Sequence, residues 1–117
     1  MRVNKKLVIN IILIGVTGMN KLTKQLIIHK NCLSDMLHDN RVDRHDKSIA
    51  QDYITKIDNC LYFMVIGNSE VMNHYKPVIK HNSLYFQDFD LTCFVRNNSN
   101  YISSPTYTNN KILTGVK

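Results

Sequence analysis

A chain of 117 residues with a net charge of +6 has room for one hydrophobic core and not for two, so no internal domain boundary is expected. Its lysines and arginines run from Arg2 to Lys117 without gathering into a block, which argues against a dedicated nucleic-acid surface. Cys32, Cys60 and Cys93 are odd in number and far apart, a pattern that supplies no zinc knuckle and fits reduced thiols in a cytosolic protein.

In chain order, Arg2, Lys5 and Lys6 precede Leu7 to Val16, a run that is apolar except for Asn10. A charged start followed by a short apolar run fits a secretory signal. The isoleucines around Asn10 and the poor cleavage site at Val16-Thr17-Gly18 favour a first buried strand. The run is too short for a membrane span, which takes roughly 20 apolar residues. Thr17 to Asn20 reads as a turn, and Lys21 to His29 as a second strand, with Leu22, Leu26 and Ile28 on one face and Lys21, Thr23 and Gln25 on the other. Gly15 to Lys21 carries glycines ahead of a lysine, but without the spacing of a phosphate loop.

Lys30 to Leu37 is expected as a short helix carrying Leu33, Met36 and Leu37. The following segment, His38 to Lys47, is polar except for Val42 and reads as a solvated loop. It holds His38, Asp39, Asp43, His45 and Asp46, residue types able to bind a metal or move protons, but no second cluster matches them. Asp52 to Ile57 alternates like a strand, Asp58-Asn59 supplies a turn, and Leu61 to Ile66 is apolar at every position. An unbroken run rich in aromatic and β-branched residues predicts a central strand covered on both faces. Gly67 then allows a turn, and Asn68 or Ser69 caps a helix opening with Glu70.

That helix would place Val71, Met72, Tyr75, Val78 and Ile79 on one face, with Pro77 kinking or restarting it. Leu84 to Phe94 continues as helix or packs irregularly, and residues from about 97 to 117 form a loop or frayed tail. Asn97-Asn98-Ser99 matches a glycosylation acceptor, which has no meaning in a cytosolic protein.

Two motifs together resemble the small-chain family of vesicle coats, the coatomer zeta subunit and the sigma chains of clathrin adaptors. One is Ile11-Ile12-Leu13-Ile14, a turn, then Lys21-Leu22-Thr23-Lys24; the other is Leu61-Tyr62-Phe63-Met64-Val65-Ile66-Gly67-Asn68-Ser69-Glu70. Arg41 to Ile49 is also similar to zeta, and Lys111 to Val116 faintly so. Val65-Ile66-Gly67 followed by small polar residues resembles coatomer more than the adaptors. Pro77 falls inside a helix that the family keeps continuous, and the C-terminal helical part is shortened.

The resemblance implies a single α/β domain of α+β type over residues 1 to 117. It would be longin-like, with an antiparallel sheet of about five strands and helices on both faces. It further implies a non-catalytic subunit of the COPI coat, without metal or cofactor, cytoplasmic and peripheral on Golgi membrane and coated vesicles. The subunit would bind a gamma-type coatomer chain, would meet an Arf-family GTPase through the coat, would not bind nucleic acid, and would serve Golgi-to-ER and intra-Golgi transport. A sigma chain or another longin-type trafficking module is the alternative, then a small secreted protein. Tyr75, Tyr85, Phe86 and Phe89 exceed what one sheet needs to cover and are the expected docking residues, forming a patch larger than a monomer tolerates.

Overall fold

The computed structural model describes residues 21–66 and 73–103, in which helices are followed by a small antiparallel sheet. The expected strand over Leu7 to Val16, the turn at Gly67 and the segment from 104 onward lie outside the described residues.

Helix α1 spans Lys21–Leu37. The strand expected over Lys21 to His29 is therefore wrong, and His29 explains the error. Leu22, Leu26, His29, Leu33 and Met36 recur at alternate steps of four and three, the spacing of one helical face. That stripe looks broken only if the histidine is assumed to face water, whereas His29 is fully buried. At the end of α1 the His38 ring donates from Nδ1 to the Ser34 carbonyl (2.8 Å), which satisfies one of the last open acceptors.

Helix α2 spans Arg44–Ile66, so neither the strand over Asp52 to Ile57 nor the central strand over Leu61 to Ile66 is present. Its start is set by Asp43, whose Oδ1 accepts from the backbone N–H of His45 (2.6 Å) and of Asp46 (3.1 Å). The helix thus takes in the end of the expected loop. Beyond Ala50, the positions 53, 54, 57, 60, 61 and 64 keep a helical period, and Asp58-Asn59 lies mid-helix with its polar groups at the edge of the core. The β-propensity of the apolar run yields to the helix already propagating into it, because propensity is weaker than packing. Leu61 is fully buried, while Tyr62, Phe63 and Met64 are only half-buried, so these three are not enclosed as a central strand would require.

Residues 73–75 are helical, but the helix expected through Ile79 stops before Pro77. Pro77 instead opens strand β1 (Pro77–Lys80), which pairs with β2 (Ser83–Phe86), which pairs with β3 (Phe89–Asp90), all antiparallel in that order. The connection from β1 to β2 is the dipeptide His81-Asn82, both in the left-handed region (φ 52° and 59°), as a type I′ hairpin turn requires. Pro77 lies on the edge strand, where a missing N–H is tolerated. Leu84 to Phe94, expected as helix or irregular chain, is split between β2, β3 and helix α3 (Leu91–Asn97). Asp90 caps α3 by accepting from the Cys93 N–H (2.9 Å), and a 3-10 turn over Ser99–Tyr101 follows.

The chain is thus a mixed helix and strand protein of α+β type, with three strands among the described residues. Its core joins Leu26, Leu33 and Met36 of α1 to Ala50, Ile57 and Leu61 of α2, and both to Leu84, Leu91 and Val95. No helix among the described residues is long and apolar enough to cross a membrane.

Candidate functional site

The sequence-predicted docking residues do not form one surface. β2 alternates its side chains, so Leu84 and Phe86 face the core and Tyr85 faces the other way. Phe86 is almost wholly buried, and Tyr85 has Lys80 4.8 Å above its ring. The other three gather around a residue that the sequence reading passed over, Tyr53 of α2. Its ring stacks on Phe89 (4.7 Å, 15° between planes) and meets Phe86 edge-on (5.3 Å), and Phe89 in turn lies 6.0 Å from Phe94. Such geometries contribute beyond simple burial and hold the rings in place. The expected large apolar patch is not seen: among the described residues the exposed large hydrophobic side chain is Val78 of the edge strand.

Between α2 and the sheet, Tyr53, Lys56, His74, Tyr75, Phe86 and Gln87 line a surface pocket of about 130 Å³. Lys56 holds its ammonium 4.4 Å over the Tyr53 ring and 3.1 Å from Asp52, one turn earlier on the same helix. Its pKa is raised: burial works against the charge, and hydrogen bonding to Asp52 with the nearby Tyr53 outweighs it. Burial pushes the Tyr53 phenol up as well, so it keeps its proton. On the side facing α2, the β2–β3 turn is tied to residues 73–75 by Gln87, which donates from Nε2 to the His74 carbonyl (2.8 Å). The same side carries left-handed backbone at non-glycine residues, Lys76 (φ 50°) and Gln87 (φ 57°). Gln87 is the first central residue of the turn between β2 and β3, where only the first φ is positive, a place that normally selects glycine. Tyr53 and Lys56 were legible as an i, i+3 pair once the segment was read as helix; Gln87 and His74 were not, because only the sheet brings them to α2.

A second polar cluster is closed rather than open. His29 donates from Nδ1 to the Gln25 carbonyl (2.7 Å), since a carbonyl only accepts, and its Nε2 then accepts from the Thr92 hydroxyl (2.7 Å). The same Thr92 oxygen accepts from the Leu84 N–H (2.8 Å). Each partner's role is fixed, so α1, β2 and α3 are joined by one satisfied chain. Burial holds the His29 pKa down to about 4, against a smaller opposite effect from the Gln25 carbonyl. A neutral, enclosed imidazole with both nitrogens engaged is a structural group.

Three of the candidate metal or acid and base residues of the loop, His38, Asp39 and Asp43, are engaged locally. Asp39 accepts from the Arg41 side chain (2.7 and 3.0 Å), whose hydrogen bonds hold its carboxyl at about 2, and Asp43 and His38 serve as caps. Among the described residues no three His, Cys, Asp or Glu side chains are placed to hold a metal ion. Burial raises the Cys32 and Cys60 thiols to about 12, which removes their nucleophilicity, and Cys93 is exposed.

Comparison with known proteins finds no matching family model, no matching curated protein and no matching solved structure.

Proposed function

We propose that this domain acts by binding a protein partner rather than by catalysis, through the aromatic end formed by Tyr53, Tyr75, Phe89 and Phe94. The observation that carries the reading is the stacked Tyr53 and Phe89 pair, half-buried at the junction of α2 and the sheet. Rings already held in place lose little freedom on docking, which is why aromatic anchors dominate many interfaces. In its most specific form the partner is a gamma-type coatomer chain, and the domain is a small subunit of the COPI coat, cytoplasmic and peripheral on Golgi membrane. That form rests on the sequence resemblance alone. The longin-like, five-stranded sheet it brings with it draws no support from Lys21–Leu37 or Arg44–Ile66, because both resembling segments within the described residues are helical.

The test is co-expression with the gamma-type chain of the source organism, followed by size-exclusion chromatography. Co-elution that Phe89→Asp abolishes, with the circular dichroism melt of the variant still cooperative, supports the coat form. Separate elution of two well-behaved proteins removes it.

A further inference from the structure

The pocket beside Tyr53 has a composition that selects a ligand. Its lining offers the ammonium of Lys56, the imidazole of His74, the amide of Gln87, the phenols of Tyr53 and Tyr75, and the ring of Phe86, and includes no Asp or Glu. The ammonium has three N–H donors and engages Asp52, a carboxylate that is itself 59% exposed. An entering anion therefore shares Lys56 with a well-hydrated partner and need not displace a buried one. The volume of about 130 Å³ compares with the roughly 150 Å³ of a protein cavity that takes one benzene ring. The side facing α2 is set by two left-handed residues and by the hydrogen bond from Gln87 to His74. Left-handed backbone at a non-glycine residue persists where the surroundings enforce it.

We propose that this pocket binds a small planar carboxylate, one six-membered ring with an acid group, the ring lying against Tyr75 and Phe86 and the carboxylate meeting Lys56. The inference does not depend on the coat reading: a chain that ignores a gamma-type subunit can still bind the acid, and the two assays share no readout. The probe is sodium benzoate, titrated into the full isotope-labelled chain and followed through amide chemical shifts, with benzylamine and acetate as the contrasting ligands. Benzoate produces saturable shifts at Tyr53, Lys56, Tyr75 and Gln87. Benzylamine, with the same ring and the opposite charge, produces none there, and acetate, lacking the ring, binds more weakly. Lys56→Met keeps the aliphatic stem and lowers benzoate affinity about tenfold, the equivalent of one charge-assisted hydrogen bond. Equal response to benzylamine, shifts that map away from the pocket, the absence of saturation, or unchanged affinity in a folded Lys56→Met chain each overturn the proposal. The contrast between benzoate and benzylamine decides on the unmodified protein even if the variant does not fold.

Discussion

The helical pair and the sheet with its short helix are held together on different principles. α1 meets α2 through Leu26, Leu33, Met36, Ile57 and Leu61, an apolar seam with an ion pair at its rim, where Lys30 Nζ lies 2.7 Å from Asp58 Oδ1. α1 meets the sheet and α3 through the same apolar core, at Leu84, Leu91 and Val95, and in addition through the buried chain from Gln25 to His29 to Thr92 to Leu84. An apolar seam tolerates small shifts in register, because dispersion and burial have no direction. A hydrogen-bonded joint does not, since each donor needs its acceptor. The polar joint therefore fixes the angle of the sheet on α1, and with it the position of Gln87 and Tyr75 opposite α2.

The largest loss is expected in the apolar seam. Leu33 is fully enclosed between the helices, and Leu33→Ala removes about 2–5 kcal/mol, as buried leucine truncations do. Urea unfolding measures it, and a cost below about 1 kcal/mol would mean that the seam is not the main support.

The polar joint is expected to fail with acid. An unfolded histidine titrates near 6.5 and folded His29 near 4, so the native state resists a proton that the unfolded chain accepts. The contribution of neutral His29 is complete above pH 6.5, is lost as pH falls from there toward 4, and changes no further below that. The whole effect is about 3 kcal/mol. Asp90 and Arg96 are the charged groups that act on the ring, in opposite directions. An NMR titration of the imidazole carbons reads this directly; a midpoint near 6.5 in the folded protein would mean that the ring reaches water and the joint is open.

The same contrast explains what could be read from the sequence. Of the helical half only Lys30 to Leu37 was read as helix, although the information is local: the spacing of Leu22, Leu26, His29, Leu33 and Met36 is complete in the residues themselves and was hidden by one polar member. The apolar run from Leu61 misled for a different reason, because its aromatic and β-branched side chains prefer strands and the packing of Ile57, Cys60 and Leu61 into the core, which the run alone does not show, holds the segment as helix. The sheet was concealed by Pro77 and by the polar turns that divide Leu84 to Phe94. His81-Asn82 is an acceptable type I′ pair, whereas Gln87-Asp88 is a poor turn signal held by contacts from elsewhere. The pocket was the least legible feature, since His74 reaches Gln87 and Tyr53 reaches Phe89 only through the tertiary fold.

The smallest effects sharpen the comparison by using one cap from each region. Asp43 starts α2 and bonds only to backbone amides of its own first turn, so Asp43→Ala costs about 1 kcal/mol and Asp43→Asn, which can still accept, costs a few tenths. Asp90 starts α3, a helix of seven residues that carries Thr92 and therefore one end of the polar joint. The loss in Asp90→Ala should be of similar size but differently distributed. Freeing the first turn of α3 loosens Thr92 from His29 and from Leu84, while the α1 and α2 seam stays closed. Native-state hydrogen exchange separates the two: Asp43→Ala lowers protection across α2 by its global cost, and Asp90→Ala lowers it most at Leu84 and in α3. A uniform loss in both variants would show that the two regions unfold as one unit and that the polar joint has no separate opening.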